Sequence, residues 1–230
     1  MQKEFNDVLA FHQKFMLPRG QHPCVLDKDQ LDFRVGFLNE ELAEFQEAHR
    51  LGDMVEAVDG LLDLVYVACG TALFVGTPAV KSDNGGWPTF NDIAMGGDPL
   101  VVPNMDGIPK LLRPAVLNTV ASGIQSKLDE FINFHQYALD DVHEPGMPLA
   151  AALESLGGIC TWAYRAADMM CVPWYRCWHH VQTANMSKIR AARDGSDSKR
   201  GSGWDVVKPP KFLPPNGYIR GELLSLGWKP

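Results

Sequence analysis

Several signatures that would assign the chain at once are missing. Its five cysteines (Cys24, Cys69, Cys160, Cys171, Cys177) are odd in number and form no Cys-x-x-Cys pair. That argues against a zinc site or a disulfide framework and for reduced, mostly buried thiols. No GxxxxGK[ST] occurs, which excludes a P-loop. No Glu-x-x-His occurs, and a di-iron carboxylate bundle needs it on two helices. An adjacent His-Asp pair, required by an HD-type phosphohydrolase, is also absent. No run of about 18 apolar residues is free of charge, and MQKEFNDVLAFHQ lacks the layout of a signal peptide. A cytoplasmic protein is expected.

What is present fits a globular chain of 230 residues, 46% apolar and 21% charged, long enough to bury a sizeable core. The net charge of −7 hides an asymmetry. Residues 1–184 carry 12 basic and 24 acidic side chains, whereas 185–230 carry 9 basic and 4 acidic. An acidic body with a basic tail is a poor nucleic-acid binder overall. It suits one site with two halves, carboxylates for metal and cations for a phosphorylated substrate.

The chain is organised around Asp53–Gly76, DMVEAVDGLLDLVYVACGTALFVG, a helix apolar nearly all round and therefore expected to be buried. Past Asp53 its only charges are Glu56, Asp59 and Asp63, at i, i+3 and i+7, which fall in line on one face. Stacked carboxylates on a buried helix repel one another and lose solvation unless a cation neutralises them. No Lys or Arg lies within the stretch, so a divalent metal is the economical counter-charge.

The remaining elements are expected to be all-α. Residues 3–17 form a first helix with Phe5, Val8, Phe11 or His12, and Phe15 on one side. Leu31–Arg50 forms a second, with Leu31, Val35, Leu38, Leu42 and Phe45 inward, Glu41 and Glu44 on one shoulder and Glu40 pointing nearly opposite. Gly52 and Asp53 supply a stop and an N-cap, so helices two and three are antiparallel neighbours. Residues 76–114 hold six glycines and six prolines and read as an insertion loop, with one short strand or turn near Leu100–Val102. Helices are expected at 115–141, 149–170 and 174–193, closing an all-α domain at 1–193. An irregular basic tail, 194–230, then closes on the site. FNDVLAFHQKF at 5–15 echoes FINFHQYALDD at 131–141, through either a decayed duplication or chance similarity.

Glu41-Leu-Ala-Glu44 and Glu56-Ala-Val-Asp59 place two carboxylate pairs on successive helices, able to chelate hard cations through oxygen. Glu41 and Glu44 alone are equally consistent with a solvated face, a reading that fits poorly for acids on an apolar helix. EELAE at 40–44, EAVDGLLDLVYVACGTA at 56–72 and ANMSKI at 184–189 resemble the MazG-like branch of the all-α nucleoside triphosphate pyrophosphohydrolases, in its phage-type form. Dimeric dUTPases, dCTP pyrophosphatases and phosphoribosyl-ATP pyrophosphohydrolases are relatives. The resemblance covers 31–76 and 174–208 and implies a helical bundle, a homodimer or homotetramer, and two or three Mg²⁺ or Mn²⁺ ions. It implies cleavage of a nucleoside triphosphate to monophosphate and pyrophosphate, in host cytoplasm if the chain is phage-encoded. The 77–172 insertion and the short spacer depart from compact members.

Carried over by residue, the resemblance implies Glu41, Glu44, Glu56 and Asp59 as metal ligands, with Asp63 as a further ligand or as the group orienting water. Asn185 and Lys188 would contact sugar and phosphate, and Arg200 and Lys208 of SKRGSGWDVVKP would close over the phosphates. Glu44 would act as general base. Base and sugar are not legible in spacing, and dGTP is favoured over dCTP or dUTP by resemblance alone. His12 and His135 read as packed or hydrogen-bonded, and adjacent His179 and His180 as a poor chelate. Trp162, Trp174 and Trp178 read as core, and Phe11 or Phe15 as a candidate stacking ring for a base. A helical scaffold with a solvated acidic seam is the reading from a different class.

Overall fold

The computed structural model describes residues 1–78, 89–95, 113–140 and 145–228. Within them lie helices α1 (Gln2–Phe15), α2 (Lys28–Leu51), α3 (Met54–Val75), α4 (Phe90–Met95), α5 (Arg113–Asp140), α6 (Gly146–Met169), α7 (Trp174–Met186) and α8 (Asn216–Ser225). The only strands among the described residues are β1 (Ile189–Arg190) and β2 (Val206–Val207), an antiparallel ribbon pairing Ile189 with Val207 and Arg190 with Val206. The all-α expectation holds.

The central hairpin forms for the reasons its sequence supplies. Asp27 and Gln30 make a reciprocal capping box at the start of α2. Gly52 ends α2 in the left-handed region at φ 75°, and Asp53 then accepts the N–H groups of Val55 and Glu56 to start α3. Helices α2 and α3 approach closely because Gly60 has no side chain: a Cβ there would stand 3.1 Å from Phe45 Cα. On α3, 18 of 22 residues are buried, so the helix is the axis of the core and α1, α2, α6, α7 and α8 pack on it. It is the only described helix long and apolar enough to cross a membrane, and 89% of its most apolar window is buried inside the fold. At about 1.5–3 kcal/mol for each buried Leu, Val or Phe, these contacts dominate the stability of the bundle.

Helices α5 and α6 pack on each other and on the first hairpin, α5 against α2 and α6 against α3. Their spacing repeats that hairpin. Leu117, Ile124, Leu128 and Phe131 follow one another as Leu31, Leu38, Leu42 and Phe45 do. In the same register Lys127 stands for Glu41. A Cβ at Gly158 would lie 2.7 Å from Lys127 Cδ, so the lysine stem fills the space a side chain would take. Its Nζ pairs with Glu130 at 2.7 Å. The second hairpin thus neutralises itself. The echo between 5–15 and 131–141 cuts across these elements, since 131–140 is the end of α5 rather than a separate helix.

Three expectations change. Helix α4 lies inside the stretch read as loop and docks on α6, where Gly157 meets Ala94 Cα 2.9 Å from its missing Cβ. The proposed turn at Leu100–Val102 lies outside the described residues. The last bundle helix stops at Met186 instead of Arg193, because the chain turns at Ser187 into the ribbon and Ala191 N–H donates to Asp205 O. The tail is correspondingly less irregular than its composition suggests, holding β2 and α8.

Candidate active site

The five acids of α2 and α3 face one another across the hairpin. Glu41 is only 7% exposed, Asp59 and Asp63 are half-buried, and Glu44 and Glu56 stand at the exposed rim. Burial raises the pKa of Glu41, and the charges of Asp63 and Glu44 raise it further. Asp59 is raised for the same reasons, by burial and then by Asp63 and Glu56. Asp63 is raised chiefly by burial, against the pull of Lys188, Lys208 and Arg200. Asp59 Oδ1 is buried and has no hydrogen-bond donor, while Oδ2 accepts from Asn216 Nδ2 at 3.2 Å. The same amide nitrogen donates to Glu56 Oε1 at 2.8 Å. Among the described residues, no three Asp, Glu, His or Cys side chains are drawn tightly enough together to hold a metal ion as they stand.

Cations arrive from beyond α7. Lys188 follows the helix end, and burial depresses its pKa while Asp63 raises it. Arg200 lies over the Phe37 ring, its Cζ 3.6 Å from the centroid. It pairs with Glu40 at 2.7 Å and Asp205 at 3.2 Å, and reaches Glu41 at 3.9 Å. Lys199 also pairs with Glu40. Glu40, outward on α2 as helical phase suggests, is met there by the tail and anchors it. Lys208 sits just past β2, with Nζ 5.3 Å from the Phe212 centroid and its charge felt at Asp63 and Lys188. Asn185 is buried at the end of α7 and lines the same cavity as Tyr66, whose hydroxyl donates to Gln182 Oε1 at 2.8 Å. The proposed metal ligands and substrate-binding residues thus gather in one neighbourhood, five acids on one side and Asn185, Lys188, Arg200 and Lys208 on the other.

Two cavities adjoin this cluster and share Phe33 and Trp204 as a wall. The larger, about 1030 Å³, is an open cleft between α2 and the tail, bordered by Glu40, Arg190, Arg193 and Arg200. The smaller, about 50 Å³, runs from Glu41, Asp63 and Lys188 inward to Phe11, His12, Arg34, Phe37, Tyr66 and Gly70.

Residues 8–78 match the family model of phosphoribosyl-ATP pyrophosphohydrolase. Over this span, about a third of the chain, the sequence is similar to the MazG-like all-α pyrophosphohydrolase superfamily, to which that family belongs. The matched span holds all five acids together with Phe11, His12 and Arg34, and ends two residues past the Gly76 cap. Pyrophosphohydrolases of this kind act on acid anhydrides of nucleotides and typically use divalent metals. No curated protein and no solved structure matches the chain.

Around this site, sequence reasoning missed three groups. Arg34 falls three residues after Leu31 and four before Leu38, on the inward stripe of α2, and a cation at that phase was the available signal. Trp204 and Asn216 lie far along the chain and reach the site only through tertiary contact, which no local pattern reports.

Proposed function

We propose that the chain hydrolyses a (deoxy)nucleoside triphosphate to its monophosphate and pyrophosphate, in the management of nucleotide pools, with dGTP preferred to dCTP or dUTP. The observation that carries this reading is the cluster of Glu41, Asp59 and Asp63 between α2 and α3, facing Lys188 and Arg200. An all-oxygen donor set of this charge suits Mg²⁺ or Mn²⁺. The unpartnered Asp59 Oδ1 is the atom such an ion would satisfy. Glu41, Glu44, Glu56 and Asp59 would hold two or three ions, whose chemistry is to cancel phosphate charge and to acidify water.

The chain's own groups then have separate tasks. Glu44, exposed at the rim, is open to solvent and takes the proton of the attacking water as general base. Asp63 orients that water or completes the ligand set. Lys188, Arg200 and Lys208 offset charge gathering on the departing pyrophosphate, and Asn185 positions the sugar. The assembly this reading expects is a homodimer or homotetramer.

The test is incubation of the purified protein and Mg²⁺ or Mn²⁺ with each of the eight common ribo- and deoxyribonucleoside triphosphates, resolving monophosphate, pyrophosphate and orthophosphate. Monophosphate and pyrophosphate in equal amounts are expected, and lost in Glu44→Gln and Asp59→Asn variants that still fold. Orthophosphate as the product, or an active Asp59→Asn enzyme, contradicts the proposal.

A further inference from the structure

The small cavity ends, away from the acids, on two unlike groups that the reaction does not use. Arg34 is 5% exposed and yet has no carboxylate at ion-pair distance among the described residues, the charge of Asp205 reaching it only from further off. Its Nε donates to Thr71 Oγ1 at 3.0 Å and its Nη2 to the Val67 carbonyl at 2.7 Å. Two of its five N–H groups are thereby spent on α3. Phe74 holds the guanidinium at 4.9 Å, and Phe37 at 5.5 Å. A cation sequestered without a paired carboxylate is costly, and its orientation is fixed on every side but the cavity.

The second group is His12. Its Nδ1 lies 3.0 Å from the Pro18 carbonyl, which can only accept, so Nδ1 carries the proton and Nε2 a lone pair. Burial and the Arg34 charge keep the ring neutral, with a pKa lowered to about 3. Both groups converge on Gly70: a Cβ there would lie 2.9 Å from Arg34 Nη2 and 3.2 Å from His12 Nε2. A fixed cationic donor therefore stands beside a fixed neutral acceptor. Phe11, Tyr66 and Trp204 supply ring faces along the same cavity.

Resting on the pyrophosphohydrolase reading, we propose that Arg34 and His12 read the lactam edge of the nucleobase, a ring carbonyl next to a ring N–H. Arg34 donates to the carbonyl, and His12 Nε2 accepts from the ring N–H. Guanine, uracil and thymine carry that edge. Adenine and cytosine present an exocyclic amine to the guanidinium instead, and leave two buried polar groups unpaired. The present cavity holds one or two waters, so Trp204 and its neighbours move aside when a base enters.

The test is kcat/KM for dGTP, dATP, dUTP, dCTP and O6-methyl-dGTP, the last keeping guanine's size while lacking both the carbonyl and the N1–H. Expected are ratios of about 5- to 150-fold for dGTP over dATP and for dUTP over dCTP, the range of a good paired contact. O6-methyl-dGTP then behaves as dATP does, and Arg34→Met or His12→Phe collapses the dGTP:dATP ratio. If either variant fails to fold, the five substrates decide with the unaltered protein. Turnover of dATP or O6-methyl-dGTP within twofold of dGTP overturns the inference and leaves the hydrolase standing. Turnover of none of the nucleotides overturns both. The dGTP-to-dUTP ratio separates a purine from a pyrimidine lactam.

Discussion

The amide of Asn216 holds Asp59 from a distance of 157 residues, donating to Oδ2 at 3.2 Å while it also binds Glu56. A neutral donor thus bridges two proposed metal ligands and partly does a cation's work. Asn216→Ala should destabilise the metal-free protein by about 1–3 kcal/mol, the range for leaving a buried acceptor without its donor. With Mg²⁺ saturating the site the loss should be smaller, because the ion takes over the bridging. Thermal melting of both proteins with chelator and with Mg²⁺ measures it. An equal loss in the two conditions would place Asn216 outside the cation's position.

Acid and base should act on the metal-free protein in an unusual direction. The folded-state pKa values of Glu41 and Asp59 are raised to about 9 and about 8. Raised groups contribute stability that is complete below the ordinary carboxylate range and lost as pH climbs through the folded values. The melting temperature should therefore fall between about pH 5 and pH 9 in chelator. Mg²⁺ replaces the protons, so it should flatten that slope, bind more tightly as pH rises and release protons on binding. Melting curves across this range, with and without Mg²⁺, are the check. A metal-free protein that gains stability toward pH 9 would mean that the acids are not buried together.

The central hairpin was legible because its causes are local. The stripe from Leu31 to Phe45, the Gly52-Asp53 junction and the line Glu56, Asp59, Asp63 are spaced by helical period alone. The tail was not, because β1 exists only through its pairing with β2 across the chain, Ile189 to Val207, and a helical phase runs on past Met186 without it. The same cause hid the partners of Glu40: its phase on α2 points outward, and Lys199 and Arg200 come to meet it there. Composition misled at 89–95, where a short helix sits between glycine- and proline-rich segments and is held by contact with α6.

Function and stability should pull apart at Asp59. Its carboxylate is opposed by burial and by two neighbouring acids, so the isosteric Asp59→Asn removes a charge while keeping an oxygen to accept from Asn216. In chelator the variant should be more stable than the parent by on the order of 1–3 kcal/mol near pH 9. The gain should shrink toward pH 6, where the parent's Asp59 is already protonated. Turnover should be lost at every pH. Denaturant unfolding at the two pH values separates this from a merely disruptive substitution, which would destabilise at both.

Two glycines should respond oppositely to the same substitution. Gly76 closes α3 at φ 93°, and a Cβ there would fall 2.2 Å from the His22 carbonyl oxygen, inside any contact distance. Gly20 crosses at the same point, donating its N–H to Leu73 O, so the clash lies between backbones that hold each other. Gly76→Ala should cost several kcal/mol, through strain in the left-handed region as well as overlap. Gly36, by contrast, is exposed in the middle of α2, has nothing within 4 Å of its Cβ position and does not carry positive φ. There alanine should stabilise by about 0.5–1 kcal/mol, from reduced freedom of the unfolded chain. Equilibrium unfolding of the two single variants tests the packing of the hairpin without touching the acids. A neutral Gly76→Ala would mean that the α1–α2 connection does not cross the end of α3 as described.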